Sequence, residues 1–178
     1  SLEWVGFTSS QKVPLLISSA REYYCPSDNM SRISFFRMQY RVHCDGASRG
    51  NPGESAAGVV IYDSYGTVTA RIAVRLGILT NNQAEYRAVL AGMRLVEQLH
   101  PTEVEFRLDS QLTVQQLSGV WKIKNEVLRG LATQIHNAAP PDATMRYTHV
   151  NRSENTLADL LANWALDHTS SANVFPIG

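Results

Sequence analysis

Tyr40, Val42 and Cys44 alternate with polar neighbours, the period of a half-buried strand. This predicts a first strand over about 39–45 that ends on a carboxylate, Asp45. Ala56-Ala-Gly-Val-Val-Ile-Tyr62 is almost continuously apolar and predicts a second strand. Asp63-Ser-Tyr-Gly66 has turn chemistry, and Thr67 to Val74 returns as a third. Strands joined by turns this short form an antiparallel meander.

The period then changes. Ala88, Ala91, Gly92, Leu95 and Leu99 recur at helical spacing behind the cap residues Thr80-Asn-Asn-Gln83, and His100-Pro101 stops the helix. Val104, Phe106 and Leu108 alternate as a fourth strand ending at Asp109. A helical piece over 110–117 breaks at Ser118-Gly119. A helix over 125–137 follows, with Val127, Leu128, Leu131 and Ile135 on one face. Residues 145–150 read as a fifth strand. Asn155 is placed to cap a last helix carrying Leu157, Leu160, Leu161, Trp164 and Leu166. Helices separate strands four and five, so these two run parallel to each other and to strand one. The expected architecture is an α/β domain with a five-stranded mixed sheet, order 3-2-1-4-5, its first three strands antiparallel and helices flanking it.

The pattern is weakest at the ends. Residues 1–37 are Ser-rich around a short apolar run, Val13-Pro-Leu-Leu-Ile17, and read as a poorly ordered extension. Few acids and many serines leave organelle targeting open for that segment. The compact domain is expected over 38–170, beginning at Met38, with 171–178 as a tail. Lys+Arg and Asp+Glu number 16 each, so no basic excess advertises a nucleic-acid partner. Two cysteines, Cys25 and Cys44, form no CxxC or Cys/His cluster, which argues against a zinc site or disulfide framework and fits an intracellular, cytoplasmic or nucleoid-associated location. No apolar run reaches membrane length, so no membrane partner is expected.

Four acids stand at element ends. Asp45 closes strand one, Glu85 is read in the first turn of the first helix, Asp109 closes strand four, and Asp159 is early in the last helix. In open α/β sheets, ligands gather at the carboxyl ends of the strands. Helix N-termini favour negative charge there. Carboxylates that converge without a lysine or arginine between them repel one another, and a divalent cation relieves that repulsion. All-oxygen ligands select Mg²⁺ or Mn²⁺ over zinc. Two such ions about 4 Å apart can activate water against a phosphodiester. Taken singly, each acid also reads as a helix-start, cap or surface residue; the set of four carries the argument.

Four ordered stretches, Asp45-Gly-Ala-Ser-Arg-Gly-Asn-Pro-Gly53, Thr80-Asn-Asn-Gln-Ala-Glu85, Asp109-Ser-Gln111 and Asn155-x-x-x-Asp159, closely resemble the ribonuclease H type I family over residues 38–169. That resemblance implies endonucleolytic hydrolysis of the RNA strand of an RNA–DNA hybrid by a monomer, leaving 5′-phosphate and 3′-hydroxyl ends. It implies that Asp45, Glu85, Asp109 and Asp159 hold two Mg²⁺ ions, with Mn²⁺ able to substitute. It further implies that the chain after Asp45 (Gly46, Ala47, Ser48 and Asn51), with Thr80, Asn81, Asn82 and Gln111, faces the minor groove of the hybrid. Amides and carbonyls there can bond 2′-hydroxyls, which distinguish RNA from DNA. The asparagines also suit turn and cap duty.

Two departures from the family pattern stand out. Many members carry a mobile histidine about ten residues before the last aspartate. Here His149 has that spacing but ends a strand, and Arg152, nearer the aspartate, is an equal candidate for assisting turnover. The Lys/Arg- and Trp-rich handle of some members is reduced to Val120-Trp-Lys-Ile-Lys-Asn125. Lys122 and Lys124 are the candidates there for phosphate contacts, and Trp121 is expected to anchor the turn in the core. His43, His100, His136 and His168 are read as structural or surface residues, and Cys44 as a small core residue. The alternatives are a non-catalytic hybrid-binding or polymerase-associated domain, and a junction resolvase or integrase on the same scaffold.

Overall fold

The computed structural model describes residues 38–168 in full, together with the backbone of 3–8, 11–15 and 173–174. Two strands of the predicted extension, β1 (Glu3–Thr8) and β2 (Gln11–Leu15), pair antiparallel in a sheet of their own. The rest of that extension, with Cys25, lies outside the described residues.

The main sheet is built from β3 (Gln39–Gly50), β4 (Gly53–Tyr62), β5 (Val68–Leu79), β6 (Glu103–Leu108), β7 (Thr144–His149) and β8 (Asn173–Val174), in the order β7-β6-β3-β4-β5-β8. The first three of these are antiparallel neighbours, and β6 and β7 run parallel to β3. This is the expected five-strand order, extended by a short strand from the predicted tail that pairs Ile72 with Val174. Two residues carry no pattern long enough to reveal a strand from sequence.

Among the described residues, four α-helices cover the sheet: α1 (Asn81–Glu97), α2 (Gln111–Leu117), α3 (Glu126–Asn137) and α4 (Thr156–Asp167). Successive residues of β4 point to opposite faces. Ala57, Val59 and Ile61 join the larger core with residues of α1, α2 and α3, while Ala56 and Val60 join the smaller core with Leu161, Ala165 and Leu166 of α4. Burial on both sides explains why β4 is apolar at almost every position. Leu128, Leu131 and Ile135 seat α3 in the larger core. Each contributes roughly 1.5–3 kcal/mol if fully buried.

Several side chains depart from the sequence reading. Val127 and Leu160 are exposed, because the buried stripes of α3 and α4 are narrower than their apolar composition suggests. Trp121, expected in the core, is 47% exposed on the connection between α2 and α3. That connection is held instead by its backbone, with the Val120 and Trp121 N–H groups both donating to the Gln115 carbonyl at 2.9 Å. Cys44 is a free, buried core thiol. His43 is half-buried, edge-on to Tyr62 at 5.2 Å, and His168 stacks on Trp164 at 4.3 Å. Among the described residues, no helix is long and apolar enough to cross a membrane.

Candidate active site

The parallel ladder between β3 and β6 pairs His43 with Arg107 as its last register step. Asp45 and Asp109 lie two residues beyond that pair, so neighbouring strands deliver them side by side. Glu85 arrives from α1, whose start is fixed by a capping box. The Thr80 hydroxyl accepts from the Gln83 N–H, and the Gln83 side chain accepts from the Thr80 N–H at 3.0 Å. Glu85 is the fifth helical residue, past the first turn where the sequence reading placed it. It faces the sheet because Gly46 lets the helix approach: a Cβ on Gly46 would collide with the Ala84 carbonyl carbon and the Glu85 nitrogen. The Gly46 N–H donates to the Glu85 carboxylate.

One carboxylate oxygen from each of Asp45, Glu85 and Asp109 lies within 4.8 Å of the other two. Asp45 and Glu85 are each 6% exposed. Burial first, then repulsion from Asp109 and Asp159, pushes the Asp45 carboxyl up to about 7. Burial, with Asp45 and Asp109, likewise raises Glu85 well above the carboxylate range. Glu85 Oε2 is buried with no hydrogen-bond partner within the protein. An unpaired acceptor among mutually repelling acids is costly. A hard divalent cation supplies what this all-oxygen donor set lacks, so the residues fit Mg²⁺ or Mn²⁺.

Asp159, the fourth predicted ligand, is in the first turn of α4, outside the three-oxygen group. Its Oδ1 accepts from the Arg152 guanidinium at 2.6 Å. Arg152 sits in the one-turn 3₁₀ helix Arg152–Glu154, and its charge draws the carboxyls of Asp45 and Glu85 downward, against the larger upward effects. His149 is exposed at the end of β7, opposite Leu108.

Of the predicted substrate-binding residues, Asn51, Asn81, Asn82, Gln111, Lys122 and Lys124 are exposed. Asn51 Oδ1 accepts from the Asn81 N–H at 3.1 Å, joining the turn after β3 to the start of α1. The Ser48 hydroxyl is committed to the Gly50 and Leu79 carbonyls, and that of Thr80 to its cap. Gly46 and Ala47 pair with Ala57 and Ala56 inside the sheet.

Asn155 overturns its expected role. It occupies the N-cap position of α4 but makes no side-chain cap bond. Its Nδ2 donates to the Cys44 carbonyl at 2.8 Å and reaches Asp109 Oδ1 at 3.3 Å. Read locally, an asparagine before an apolar run is a cap, and nothing local announces a partner 111 residues away.

The reverse-transcriptase-like family profile matches residues 43–165. The crystal structure of ribonuclease H1 from the halophilic archaeon Halobacterium salinarum superposes with a TM-score of 0.69 at 38% identity, covering 72% of this chain and 98% of that one. The chain belongs to the ribonuclease H family. A ribonuclease HI of the same archaeon is 40% identical over 71% of this chain and 65% of its own length. A Mycobacterium tuberculosis protein described as bifunctional is also 40% identical, over 73% of this chain. Its N-terminal ribonuclease H domain, solved as a fusion, has a TM-score of 0.71 and is 94% covered. The present chain spans 36% of that mycobacterial relative. The ribonuclease H1 LC11, from compost, was solved with an RNA/DNA hybrid; it is 33% identical with a TM-score of 0.68, covering 72% of this chain and 96% of that one. The fold of this chain is that of a ribonuclease H.

Proposed function

We propose that the chain hydrolyses the RNA strand of RNA–DNA hybrids internally, leaving 5′-phosphate and 3′-hydroxyl ends. The observation that carries this reading is the Asp45–Glu85–Asp109 cluster, two buried acids and a half-buried one with no basic side chain hydrogen-bonded to any of them. These acids, joined by Asp159, would hold two Mg²⁺ ions. Ions bound there would promote attack by water and stabilise charge on the phosphate and the leaving 3′-oxygen. The chain's own residues do the rest. Asn51, Asn81, Asn82 and Gln111 present amides to the sugar edge, where a 2′-hydroxyl is both donor and acceptor. Lys122 and Lys124 reach phosphates from the turn between α2 and α3, and exposed Trp121 offers them an apolar neighbour. Arg152, beside Asp159, is the better-placed of the two turnover candidates, because His149 shows no bond to any of the four acids. All four carboxylates come from one chain, which supports action as a monomer.

The test is cleavage of a labelled hybrid with and without Mg²⁺, beside DNA duplex and RNA duplex, by the full chain and by a chain beginning at Met38. Mg²⁺-dependent cutting confined to the RNA of the hybrid is expected. Intact RNA across metals and pH would overturn the reading, and equal cutting of DNA would assign a different nuclease.

A further inference from the structure

Asn155 is 1% exposed and stands where three acid-bearing elements meet. Its Nδ2 donates to the carbonyl of Cys44, the residue before Asp45, and toward Asp109 Oδ1. Its own carbonyl accepts the Asp159 N–H at 3.1 Å. Asn155 Oδ1 is buried, and the amide also interacts with the His43 side chain of β3, so it is turned toward β3 and Asp109 and away from its own helix. A capping role would put that oxygen on the first-turn N–H groups of α4, and it does not.

We propose that Asn155 is a positioning residue for the carboxylate cluster, setting its affinity for a divalent cation and not its affinity for nucleic acid. This rests on the cation reading of the Asp45–Glu85–Asp109 cluster. One side-chain NH₂ restrains both the middle of β3, next to Asp45, and one oxygen of Asp109, so the cation meets carboxylates that are already oriented. Partners of this kind typically change metal affinity by about 10- to 100-fold.

Asn155→Ser and Asn155→Ala separate this role from capping, because serine is a good N-cap but too short to span both acceptors. Calorimetric titration with Mn²⁺ and no nucleic acid is the first readout. Both variants are expected to bind about 10-fold more weakly than the unchanged chain. Cleavage is expected to need correspondingly more Mg²⁺, with the KM for hybrid at saturating Mg²⁺ within about 3-fold. Mn²⁺ affinity equal to that of the unchanged chain in a folded variant would overturn the role of Asn155 alone. No Mn²⁺ binding by the unchanged chain would overturn the cation reading and this inference with it. The second readout needs no variant: the Asn155 side-chain NH₂ resonances of the unchanged chain should shift on Mg²⁺ saturation, and resonances that stay in place would overturn the proposal.

Discussion

Arg152 donates to Asp159 Oδ1 at 2.6 Å, so the fourth acid of the set is paired with a cation of the chain's own. Three acids therefore form a group without an internal counter-charge, while the fourth has one. The pair is lopsided in exposure, the Arg152 side chain at 76% and Asp159 at 22%. Such a contact contributes about 0–1 kcal/mol and is readily given up.

Replacing that arginine should therefore change metal binding more than stability. Arg152→Gln removes a positive charge that acts on both Asp45 and Glu85. It should tighten Mg²⁺ binding by about 5-fold, the effect of about 1 kcal/mol of Coulomb energy. The Mg²⁺ concentration giving half of the maximal Tm increase measures this, and an unchanged midpoint would contradict it. Without metal, the Tm should stay near that of the unchanged chain.

Asp45 sets a pH dependence. Its carboxyl titrates at about 7 in the fold against an ordinary 3.8. The folded state thus holds the proton more tightly than the unfolded chain. The stabilisation this brings is full below about pH 4 and is lost as pH rises through about 7. Glu85, also raised, acts in the same direction. A divalent cation favours the ionised acids, so the Tm increase caused by Mg²⁺ over EDTA should grow from about pH 5 to 8. A Mg²⁺ effect that stays level across that range would refute the convergence of the acids. Asp45→Asn removes a buried charge, so in EDTA near neutral pH it should raise the Tm while abolishing hybrid cleavage.

Gly46 bears on both fold and site. Gly46→Ala pushes a methyl into the backbone at Ala84 and Glu85, with no flexible side chain to yield. A cost of about 3 kcal/mol or more is expected. That corresponds to a Tm loss of roughly 6–12 °C for a domain of this size. Weaker Mg²⁺ binding should accompany it, since Glu85 moves with the helix. Thermal melts with and without Mg²⁺ measure both effects.

Lys122 and Lys124 are exposed, so their loss should change the stability by no more than about 0.5 kcal/mol. Each replacement by alanine should lower the slope of log affinity against log salt by about one, measured with uncleaved hybrid in Ca²⁺. A slope unmoved by the double substitution would place the phosphate contacts elsewhere.

How much was legible follows from the range of each interaction. Alternation at Tyr40–Cys44 and Val104–Leu108 marks strands because burial on one face acts residue by residue. Thr80 and Gln83 announce the start of α1 because a capping box spans three residues. Asp45 and Asp109 could be placed together because their strands run parallel in register, although Asp45 lies within β3, which continues to Gly50 and does not end at the acid as expected. Val127 and Leu160 were misplaced because helical period gives the direction of a buried stripe and not its width, which depends on what packs against it. Trp121 was misplaced because backbone bonds to Gln115 hold its turn without an apolar anchor.

The sequence alone determined the order of the five central strands and of the helices between and after them, and it put the four acids forward as candidates, since these depend on local periodicity and on motifs of a few residues. Tertiary structure decided the rest. It grouped Asp45, Glu85 and Asp109, paired Asp159 with Arg152, and turned Asn155 from a helix cap into a tie between β3 and Asp109. Those outcomes depend on distances between side chains from different elements, and the depth of burial that raises Asp45 to about 7 exists only once both cores have closed around it.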